Sequence, residues 1–371
     1  MMRMQAALDR SPVTELPGES TVHDRATGEV VVTRSGRLGR ITLNRPRAIN
    51  ALTSEMIATV EGALDEFASR PDVTTVLIDG DGERGLSAGG DMRRIYEAIG
   101  ADDDPLRFFR DEYRMDQRIL RFPKTVVAFM DGIVMGGGVG ISAHADIRIV
   151  TERTAVAMPE VAIGFAPDVG ATWLLARAPG ETGVHAALTT ARLSGSDALF
   201  AGFADLFVES ATLNSLAEAL TEQEASAVAA EAQRATGPTP ASALASQQTW
   251  IDACYDSDDA EQIVDRLRAK PIEQTLEAAD EIERKSPTSI KVALRAIRNA
   301  RQLRSIEECI EMEYRIAATL VGTPDFVEGI RAVLIDKDHQ PRWNPPSLAA
   351  VSAELVDRCF ARGGNELSFA R

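Results

Sequence analysis

Three consecutive glycines stand in the stretch Met135-Gly-Gly-Gly-Val-Gly140, directly in front of an apolar segment of the chain. If that segment is a helix, its first backbone N–H groups lack partners inside the helix, and glycines leave them uncovered. Such a helix start can hold a developing negative charge. The stretch is neither a P-loop nor a dinucleotide fingerprint, because its glycines have the wrong spacing and no Gly-Lys-Ser/Thr follows. Close packing of a helix on a strand is the structural alternative.

A second stretch with small residues, Leu86-Ser-Ala-Gly-Gly-Asp91, precedes it in the chain. Small residues between a turn and a helix let the backbone approach a ligand closely, and the free N–H groups there can also stabilise an oxyanion. A tight turn with Asp91 near a helix N-terminus is the structural alternative.

The third stretch, Met158-Pro-Glu-Val-Ala-Ile-Gly-Phe-Ala-Pro-Asp-Val-Gly170, carries two acids. Glu160 and Asp168 are the acidic residues in an otherwise apolar run over residues 154–179. A carboxylate in apolar surroundings has a raised pKa, which suits general acid–base catalysis. Capping of a helix by Glu160, or an ion pair with an arginine, is the structural alternative.

Around these stretches, strand-like and helix-like segments alternate. Residues 29–33 and 38–43 are β-rich and predict a hairpin around Ser35-Gly36, and residues 54–68 predict a helix with Thr53 or Ser54 as its N-cap. Further strand-like runs cover residues 74–79, 124–130 and 145–150. The alternation predicts an α/β fold with crossover connections.

The second half of the chain has mainly helical patterns, at residues 222–233, 306–320 and 325–335. We therefore divide the chain into a flexible N-terminal tail (1–27), an α/β core (28–215) and a helical C-terminal region (216–371).

The composition limits the classes of partner. The 371 residues are 44% hydrophobic and 5% aromatic, which allows a large and mostly aliphatic core. A formal net charge of −16 repels nucleic acid and anionic membranes, so we expect neither as a partner. The sequence shows no apolar stretch long enough to span a bilayer, and the first residues lack the apolar region of a secretory signal. The three widely spaced cysteines, Cys254, Cys309 and Cys359, favour the reducing cytoplasm.

Two other kinds of site are not expected. Ser142, His144 and Asp146 contain the residue types of a catalytic triad, but a spacing of two does not place side chains on one helix face. The remaining histidines form no metal-binding pattern, so we expect no metal.

The three stretches occur in the order and spacing that mark the crotonase (enoyl-CoA hydratase/isomerase) superfamily, which the chain resembles from about residue 37 to residue 207. Arg45-Pro46 and Asn50-Ala51-Leu52 resemble a further motif of that superfamily. The resemblance implies a ClpP-like ββα spiral core with a helical C-terminal extension. It also implies an oxyanion hole in which the N–H groups of Gly90 and Gly137 polarise a thioester carbonyl.

Hydratases of the superfamily use two glutamates that grip one water, and one of them follows the glycine triplet by two residues. That position here is Gly140, so ordinary hydration is not expected. The chain instead resembles the 3-hydroxyisobutyryl-CoA hydrolase subfamily in several segments, among them Ala88-Gly-Gly-Asp91, Pro167-Asp168-Val-Gly170, Ser286-Pro-Thr-Ser289, Met312-Glu-Tyr-Arg315 and residues 328–338. Ser87 and Ala171 depart from its pattern.

The resemblance implies a role for each site residue. Glu160 would attack the carbonyl or activate a water, and Asp168 would orient the substrate hydroxyl or assist proton transfer. The residues expected to contact CoA and the rest of the substrate are Arg47, Asn50, Ala51, Leu52, Ala88, Gly89, Asp91 and Gly136. No cofactor is expected, because CoA is part of the substrate.

Two alternatives remain open at this point. One is an enoyl-CoA isomerase or hydratase-type enzyme of the same family, and the other is a non-catalytic acyl-CoA-binding protein. Many members of the superfamily form oligomers through their C-terminal helices, and the longer extension here can instead cover that surface within one chain, so a homo-oligomer and a monomer both stay open. The resemblance implies hydrolysis of 3-hydroxyisobutyryl-CoA to 3-hydroxyisobutyrate and CoA, as in valine degradation, with 3-hydroxypropionyl as the next acyl group.

Overall fold

The computed structural model describes residues 28–99, 104–363 and 366–369. The predicted flexible tail, residues 1–27, lies outside these described residues.

The strands form two sheets. They are β1 Val30–Ser35, β2 Leu38–Leu43, β3 Thr75–Gly80, β4 Thr125–Met130, β5 Ile133–Met135, β6 Ile147–Val150, β7 Ala155–Ala157, β8 Leu193–Ser194 and β9 Leu206–Phe207. The larger sheet has the order β1-β2-β3-β4-β6-β9, and the smaller one has the order β5-β7-β8. The predicted hairpin is confirmed, because β1 and β2 pair antiparallel with Val30 opposite Leu43. The other pairs of the larger sheet are parallel, as crossover connections require.

The helices of the first half connect these strands. They are α1 Ser54–Ser69, α2 Met92–Ile99, α3 Leu106–Leu120, α4 Gly137–Ala143, α5 Ala171–Arg177, α6 Thr182–Thr189 and α7 Gly195–Phe200. Helix α1 confirms the predicted helix: the Thr53 side chain accepts a hydrogen bond from Met56 N, and Ile57 and Val60 lie on its buried face.

The C-terminal part is helical, as predicted. Its helices are α8 Leu213–Ala219, α9 Ala225–Ala235, α10 Ala243–Tyr255, α11 Ala260–Ala269, α12 Glu273–Arg284, α13 Pro287–Ala300, α14 Ile306–Leu320, α15 Pro324–Ile330 and α16 Ala353–Phe360. Helix α14 has the predicted bounds. The helix predicted over 325–335 is α-helical only to Ile330 and continues as the π-helical turn Arg331–Ile335.

The C-terminal helices pack against the α/β part rather than apart from it. Helix α14 lies against α3 and α5, and α13 lies against α5 and α6. The Phe165 ring contacts Phe109 of α3 and Phe326 of α15, with ring centroids 5.2 and 5.5 Å away. One hydrophobic core therefore extends through both parts. The boundary predicted at residue 215 falls inside α8, and the division into an α/β core and a helical region stays a prediction.

Candidate active site

Helix α4 begins at Gly137, the middle glycine of the triplet. Its N-cap, Gly136, has φ 50° and ψ −122°, a conformation that glycine adopts easily and other residues avoid. The Gly136 amide donates to Ala157 O at 3.3 Å. The Gly137 amide has no helical carbonyl one turn back, and it donates to no other described residue. The helix thus presents an unused N–H group.

Gly90 presents a second unused N–H group. It forms a parallel bridge with Leu52, in which Leu52 N donates to Gly89 O and Asp91 N donates to Leu52 O, each at 2.8 Å. The amides of Ala88 and Gly89 also have partners. The Gly90 amide is left out of this ladder and has no acceptor among the residues that the structure describes.

The two glycine stretches touch. A Cβ atom on Gly89 would lie 3.2 Å from Gly137 N, and one on Gly138 would lie 2.5 Å from Ser87 O. Because no side chains intervene, the backbones approach closely and bring the free amides of Gly90 and Gly137 into adjacent segments. Two such amides can stabilise the oxyanion of a tetrahedral intermediate.

Glu160 lies next to this pair, at the first residue of the 3₁₀ turn Glu160–Ile163. Its side chain is buried, and Oε1 lies 3.0 Å from the position that a Cβ atom on Gly136 would take. The other oxygen, Oε2, has no hydrogen-bond partner among the described residues. Burial raises the pKa of Glu160 well above its usual value, and the charge of Asp168 raises it further. A buried carboxyl group with a free oxygen is suited to proton transfer or to nucleophilic attack.

Asp168 lies close enough to Glu160 for its charge to act on the Glu160 carboxyl group. The Tyr113 hydroxyl of α3 donates to Asp168 Oδ2 at 2.7 Å. Burial raises the pKa of Asp168 to about 7, although the Tyr113 hydrogen bond acts in the opposite direction. The fold therefore brings together Gly90, Gly137, Glu160 and Asp168, four residues singled out from the sequence.

The Tyr113→Phe variant tests how Asp168 is tuned. Removing the hydroxyl removes a hydrogen bond that stabilises the ionised carboxylate, so the pKa of Asp168 should rise above about 7. If turnover needs ionised Asp168, the acidic limb of the kcat profile should move to higher pH. Steady-state kinetics from pH 5 to pH 9 would measure this, and an unmoved or downward-moving limb would contradict the assignment.

Two further buried acids, Glu112 and Asp116, were not predicted from the sequence. They lie four residues apart on α3, on its buried face, and they face two glycines of α4. A Cβ atom on Gly137 would stand 2.1 Å from Glu112 Oε1, and one on Gly140 would stand 2.7 Å from Asp116 Oδ2. The sequence did contain a signal for them, because both acids recur at the spacing of the apolar residues that form the buried face of this amphipathic helix.

The C-terminal region contributes Glu313 of α14. Its carboxylate accepts hydrogen bonds from Gly170 N at 2.7 Å and Thr172 N at 3.0 Å, and so holds the start of α5. Burial raises the pKa of Glu313 to about 8, while these hydrogen bonds act in the opposite direction. Glu313 therefore fixes the segment that follows Asp168.

Because Asp168 and Glu313 are buried acids with raised pKa values, we expect the stability of the protein to fall as the pH rises. The pKa values of Asp168 and Glu313 are raised to about 7 and about 8 by burial, whereas unfolded carboxyl groups titrate near 4. Between pH 6.5 and pH 8.5 the folded state thus binds more protons than the unfolded state, and stability falls as pH rises. Below this window the buried His144 and His185, with pKa values lowered to about 4, act in the opposite direction.

Calorimetry would check this expectation. The melting temperature should fall steadily from pH 6.5 to pH 8.5 at constant ionic strength. A melting temperature that is flat or rising over that range would show that the buried acids are ionised in the folded protein.

The residues expected to contact CoA divide into two groups. Arg47 is exposed and available to a phosphate. Asn50 is fully buried, and its amide already has three backbone partners: it accepts from Arg45 N and donates to Asp81 O and Gly85 O. The Asn50 side chain thus holds the neighbouring loops together, and its contact with CoA stays a prediction.

Asp91 and Ala51 are also engaged within the protein. The Arg45 guanidinium lies 3.1 Å from Asp91 Oδ2 and donates to Ala51 O at 2.6 Å. A cavity of about 460 Å³ opens between α1, α2 and α3, and its lining includes Leu52, Asp91, Arg94, Ile95 and Phe108. Leu52, the bridge partner of Gly90, and Asp91, the residue after it, both line this cavity, which therefore opens beside the Gly90 segment.

The three residues with the side-chain types of a catalytic triad have other partners. Ser142 donates to Gly138 O, the His144 ring lies 2.6 Å from Val169 O, and Asp146 accepts from Val126 N. The three side chains thus have separate partners and form no triad. Within the described ranges no group of three metal-ligating side chains occurs, and no helix there is long and apolar enough to cross a membrane. Cys254, Cys309 and Cys359 are buried and unpaired.

Known proteins are similar to this chain over most of its length. A 3-hydroxyisobutyryl-CoA hydrolase, mitochondrial, of Danio rerio is 38% identical over 346 residues, or 91% of this chain and 90% of that protein. The crystal structure of a carnitinyl-CoA dehydratase from Mycobacterium thermoresistibile has a TM-score of 0.88 and 45% identity, covering 92% of this chain and 98% of that one. An enoyl-CoA hydratase from Rhodobacter sphaeroides 2.4.1 has a TM-score of 0.86 and 40% identity, covering 92% and 100%.

The family sequence model described as enoyl-CoA hydratase/isomerase matches residues 38–360, which include most of the α/β part and most of the helical region. The two structural neighbours share the fold over most of their length, in agreement with the predicted crotonase architecture. This chain belongs to the enoyl-CoA hydratase/isomerase family.

Proposed function

We propose that the protein hydrolyses 3-hydroxyisobutyryl-CoA to 3-hydroxyisobutyrate and CoA. The observation that carries this proposal is the pairing of two backbone amides, on Gly90 and Gly137, with one buried carboxyl group, Glu160. Within the part of the chain that the structure describes, neither amide nor Glu160 Oε2 has a hydrogen-bond partner. The name of the Danio rerio relative supports the choice of substrate.

In the proposed mechanism the thioester carbonyl oxygen accepts hydrogen bonds from the Gly90 and Gly137 amides. Either Glu160 attacks the carbonyl carbon, or a water attacks it while Glu160 takes the water's proton. Collapse of the oxyanion breaks the C–S bond, and CoA leaves as a thiolate that takes up a proton. In the first route an acyl-Glu160 anhydride forms, and a water then hydrolyses it. Both routes remain in the proposal.

The acyl group would extend towards α3. Glu112 Oε1 lies against Gly137, so it is placed to accept a hydrogen bond from a hydroxyl group on the acyl chain. Asp168, held by Tyr113, would orient the same group or assist proton transfer. Buried acceptors of this kind favour a hydroxylated acyl group, because an apolar one would leave them unpartnered.

The geometry at Gly140 favours hydrolysis over the hydration and dehydration named for the structural neighbours. A Cβ atom there would lie 2.7 Å from Asp116 Oδ2 and 2.8 Å from Val169 Cβ. A second glutamate could not extend from this position without displacing both residues. The isomerase alternative, which needs one carboxylate, is decided by assay.

A panel of acyl-CoA thioesters tests the proposal. Free CoA would be measured with DTNB, and the conjugated enoyl thioester by its ultraviolet absorbance, for 3-hydroxyisobutyryl-, 3-hydroxypropionyl-, isobutyryl- and crotonyl-CoA. We expect CoA release to be fastest with 3-hydroxyisobutyryl-CoA. Loss or movement of the enoyl double bond without thiol release would instead identify a hydratase or isomerase, and binding without turnover a non-catalytic protein.

The biological setting is part of the proposal. Hydrolysis of this thioester would place the protein in valine degradation. We propose a cytoplasmic location, although the name of the Danio rerio relative places that protein in the mitochondrion. An acyl-CoA is the proposed partner, and assembly into a homo-oligomer stays a prediction.

A further inference from the structure

The residue after Asp168 has a backbone conformation that its own side chain disfavours. Val169 has φ 53°, in the left-handed region, and Gly170 has φ 76° and ψ 1°. Because Ala171 N donates to Asp168 O at 2.8 Å, these four residues form a β-turn whose two central residues both have positive φ. Turns of this kind favour glycine, asparagine or aspartate at those places, and a β-branched residue with positive φ is a steric outlier. The turn that carries Asp168 is therefore strained.

Two buried side chains hold the peptide unit between Val169 and Gly170. At its carbonyl end the His144 ring lies 2.6 Å from Val169 O, and because a carbonyl oxygen only accepts, His144 Nε2 is the donor. At its amide end Gly170 N donates to Glu313 Oε2 at 2.7 Å. Strained backbone persists only where the surrounding structure enforces it. A peptide unit held at both its oxygen and its nitrogen cannot rotate freely, so these two hydrogen bonds keep the turn in its strained form.

The hydrogen bond from His144 also connects the strained turn to α4. His144 directly follows the last residue of α4, the helix that begins at Gly137. The Val169 side chain packs on the same helix, where a Cβ atom on Gly140 would lie 2.8 Å from Val169 Cβ. Burial lowers the pKa of His144 to about 4, so the ring is neutral near neutral pH and donates without burying a charge. The turn is thus fixed relative to a helix that presents one of the two free amides.

We propose that His144 and Glu313 are positioning residues, which hold the strained turn and thereby aim the carboxyl group of Asp168 into the site. Neither residue touches a reacting atom. Without these two hydrogen bonds Val169 would relax towards negative φ, and Asp168 would leave the position in which it accepts from the Tyr113 hydroxyl. The inference rests on the proposed function, because it assumes that Asp168 takes part in hydrolysis.

The first experiment removes the hydrogen bond at the carbonyl end of the peptide unit. His144→Phe keeps a ring of similar shape but has no N–H to donate. With 3-hydroxyisobutyryl-CoA, kcat should fall about 5-fold to 30-fold, the factor by which the steric cost of a left-handed residue lowers the population of the strained turn. His144→Gln can place an amide N–H near the position of Nε2, so it should restore most of the lost kcat.

His185→Phe is the matched control. His185 of α6 is also a buried histidine whose ring makes a hydrogen bond, with Nδ1 2.8 Å from the Tyr255 hydroxyl, and burial lowers its pKa to about 4 as well. Its substitution should lower the melting temperature and leave kcat per folded molecule unchanged.

Two double-mutant cycles separate positioning from general destabilisation. If His144 acts through Asp168, His144→Phe should lower kcat no further in an Asp168→Asn background, because the group that it positions is already lost. If His144 acts by holding a strained residue, His144→Phe should lower kcat less in a Val169→Gly background, because glycine adopts positive φ without steric cost. A purely structural role predicts the same factor in all three backgrounds.

Glu313→Gln repeats the test from α14. The glutamine amide has a single oxygen, whereas Glu313 accepts from both Gly170 N and Thr172 N. We therefore expect kcat to fall in this variant, and to fall less in the Val169→Gly background. This arm decides the inference should His144→Phe not fold.

An unchanged kcat in folded His144→Phe would overturn the inference. An equal loss of kcat from His144→Phe in the wild-type and Val169→Gly backgrounds would overturn it too. Both results leave the proposed function standing if the wild type releases CoA from 3-hydroxyisobutyryl-CoA. If the wild type releases none, the proposed function itself fails; if only Asp168→Asn proves to have wild-type kcat, the role of Asp168 fails and the inference fails with it.

Discussion

Glu160→Gln should lose thioester hydrolysis by about 100-fold to 10,000-fold in kcat, the range for a lost general base, or by more if Glu160 is the nucleophile. The amide has nearly the shape of the carboxyl group but can neither accept the water's proton nor form an anhydride. KM should change little, because the Gly90 and Gly137 amides, which are proposed to hold the carbonyl, are untouched. DTNB kinetics with 3-hydroxyisobutyryl-CoA would measure both constants.

The same substitution should leave the fold intact. Glu160 Oε2 has no partner to lose, and burial disfavours the ionised carboxylate, so the melting temperature of Glu160→Gln should equal or exceed that of the wild type. Glu181→Gln is the matched control, because Glu181 is a buried glutamate paired with Arg298 and Arg301. That variant should be less stable and have normal kcat per folded molecule. Near-normal turnover by Glu160→Gln would remove Glu160 from the mechanism.

Gly138→Ala should lower kcat by about 100-fold to 1,000-fold, the cost of losing one oxyanion-hole donor. The new Cβ atom would lie 2.5 Å from Ser87 O and 3.0 Å from Ser87 Cβ. A backbone oxygen cannot rotate away, so the start of α4 must move from the segment that carries Gly90. The amides of Gly90 and Gly137 would then no longer converge on one oxygen atom, although both remain present.

Gly237→Ala is the control for this variant, because a Cβ atom there would meet no atom within 4 Å. It should match the wild type in kcat and melting temperature. Circular dichroism of Gly138→Ala would establish that the variant is folded before its kinetics are compared. A folded Gly138→Ala with wild-type kcat would show that the convergence of the two amides does not limit the reaction.

Local patterns predicted much of the fold because they act over a few residues. Helix α14 has the predicted bounds, since Ser305 caps its start and apolar residues recur at helical spacing. The helix predicted over 222–233 instead begins at Ala225 and ends at Ala235, because alanine-rich sequence marks a helix without marking its ends. The continuation of α15 as a π-helical turn had no recognisable signal in the sequence.

The glycines and Glu160 were found from the sequence because each property needed was local. A glycine triplet before an apolar helix leaves amides unused wherever the helix lies, and an acid in an apolar run is buried in almost any fold. Asn50 shows what a motif does not reveal: its amide accepts from the nearby Arg45 N and donates to Asp81 O and Gly85 O of a distant turn, and its contact with CoA stays a prediction.

The sequence by itself thus determined the family and the α/β architecture with its helical extension, and it predicted one carboxyl group beside two main-chain donors. Tertiary structure alone decided what surrounds that carboxyl group. Glu112 and Asp116 reach Gly137 and Gly140 only because α3 packs on α4, and Glu313 reaches the segment after Asp168 from α14, more than a hundred residues away in the chain. The electrostatic field of a buried site is a sum over neighbours in space, and those neighbours follow from how the helices pack.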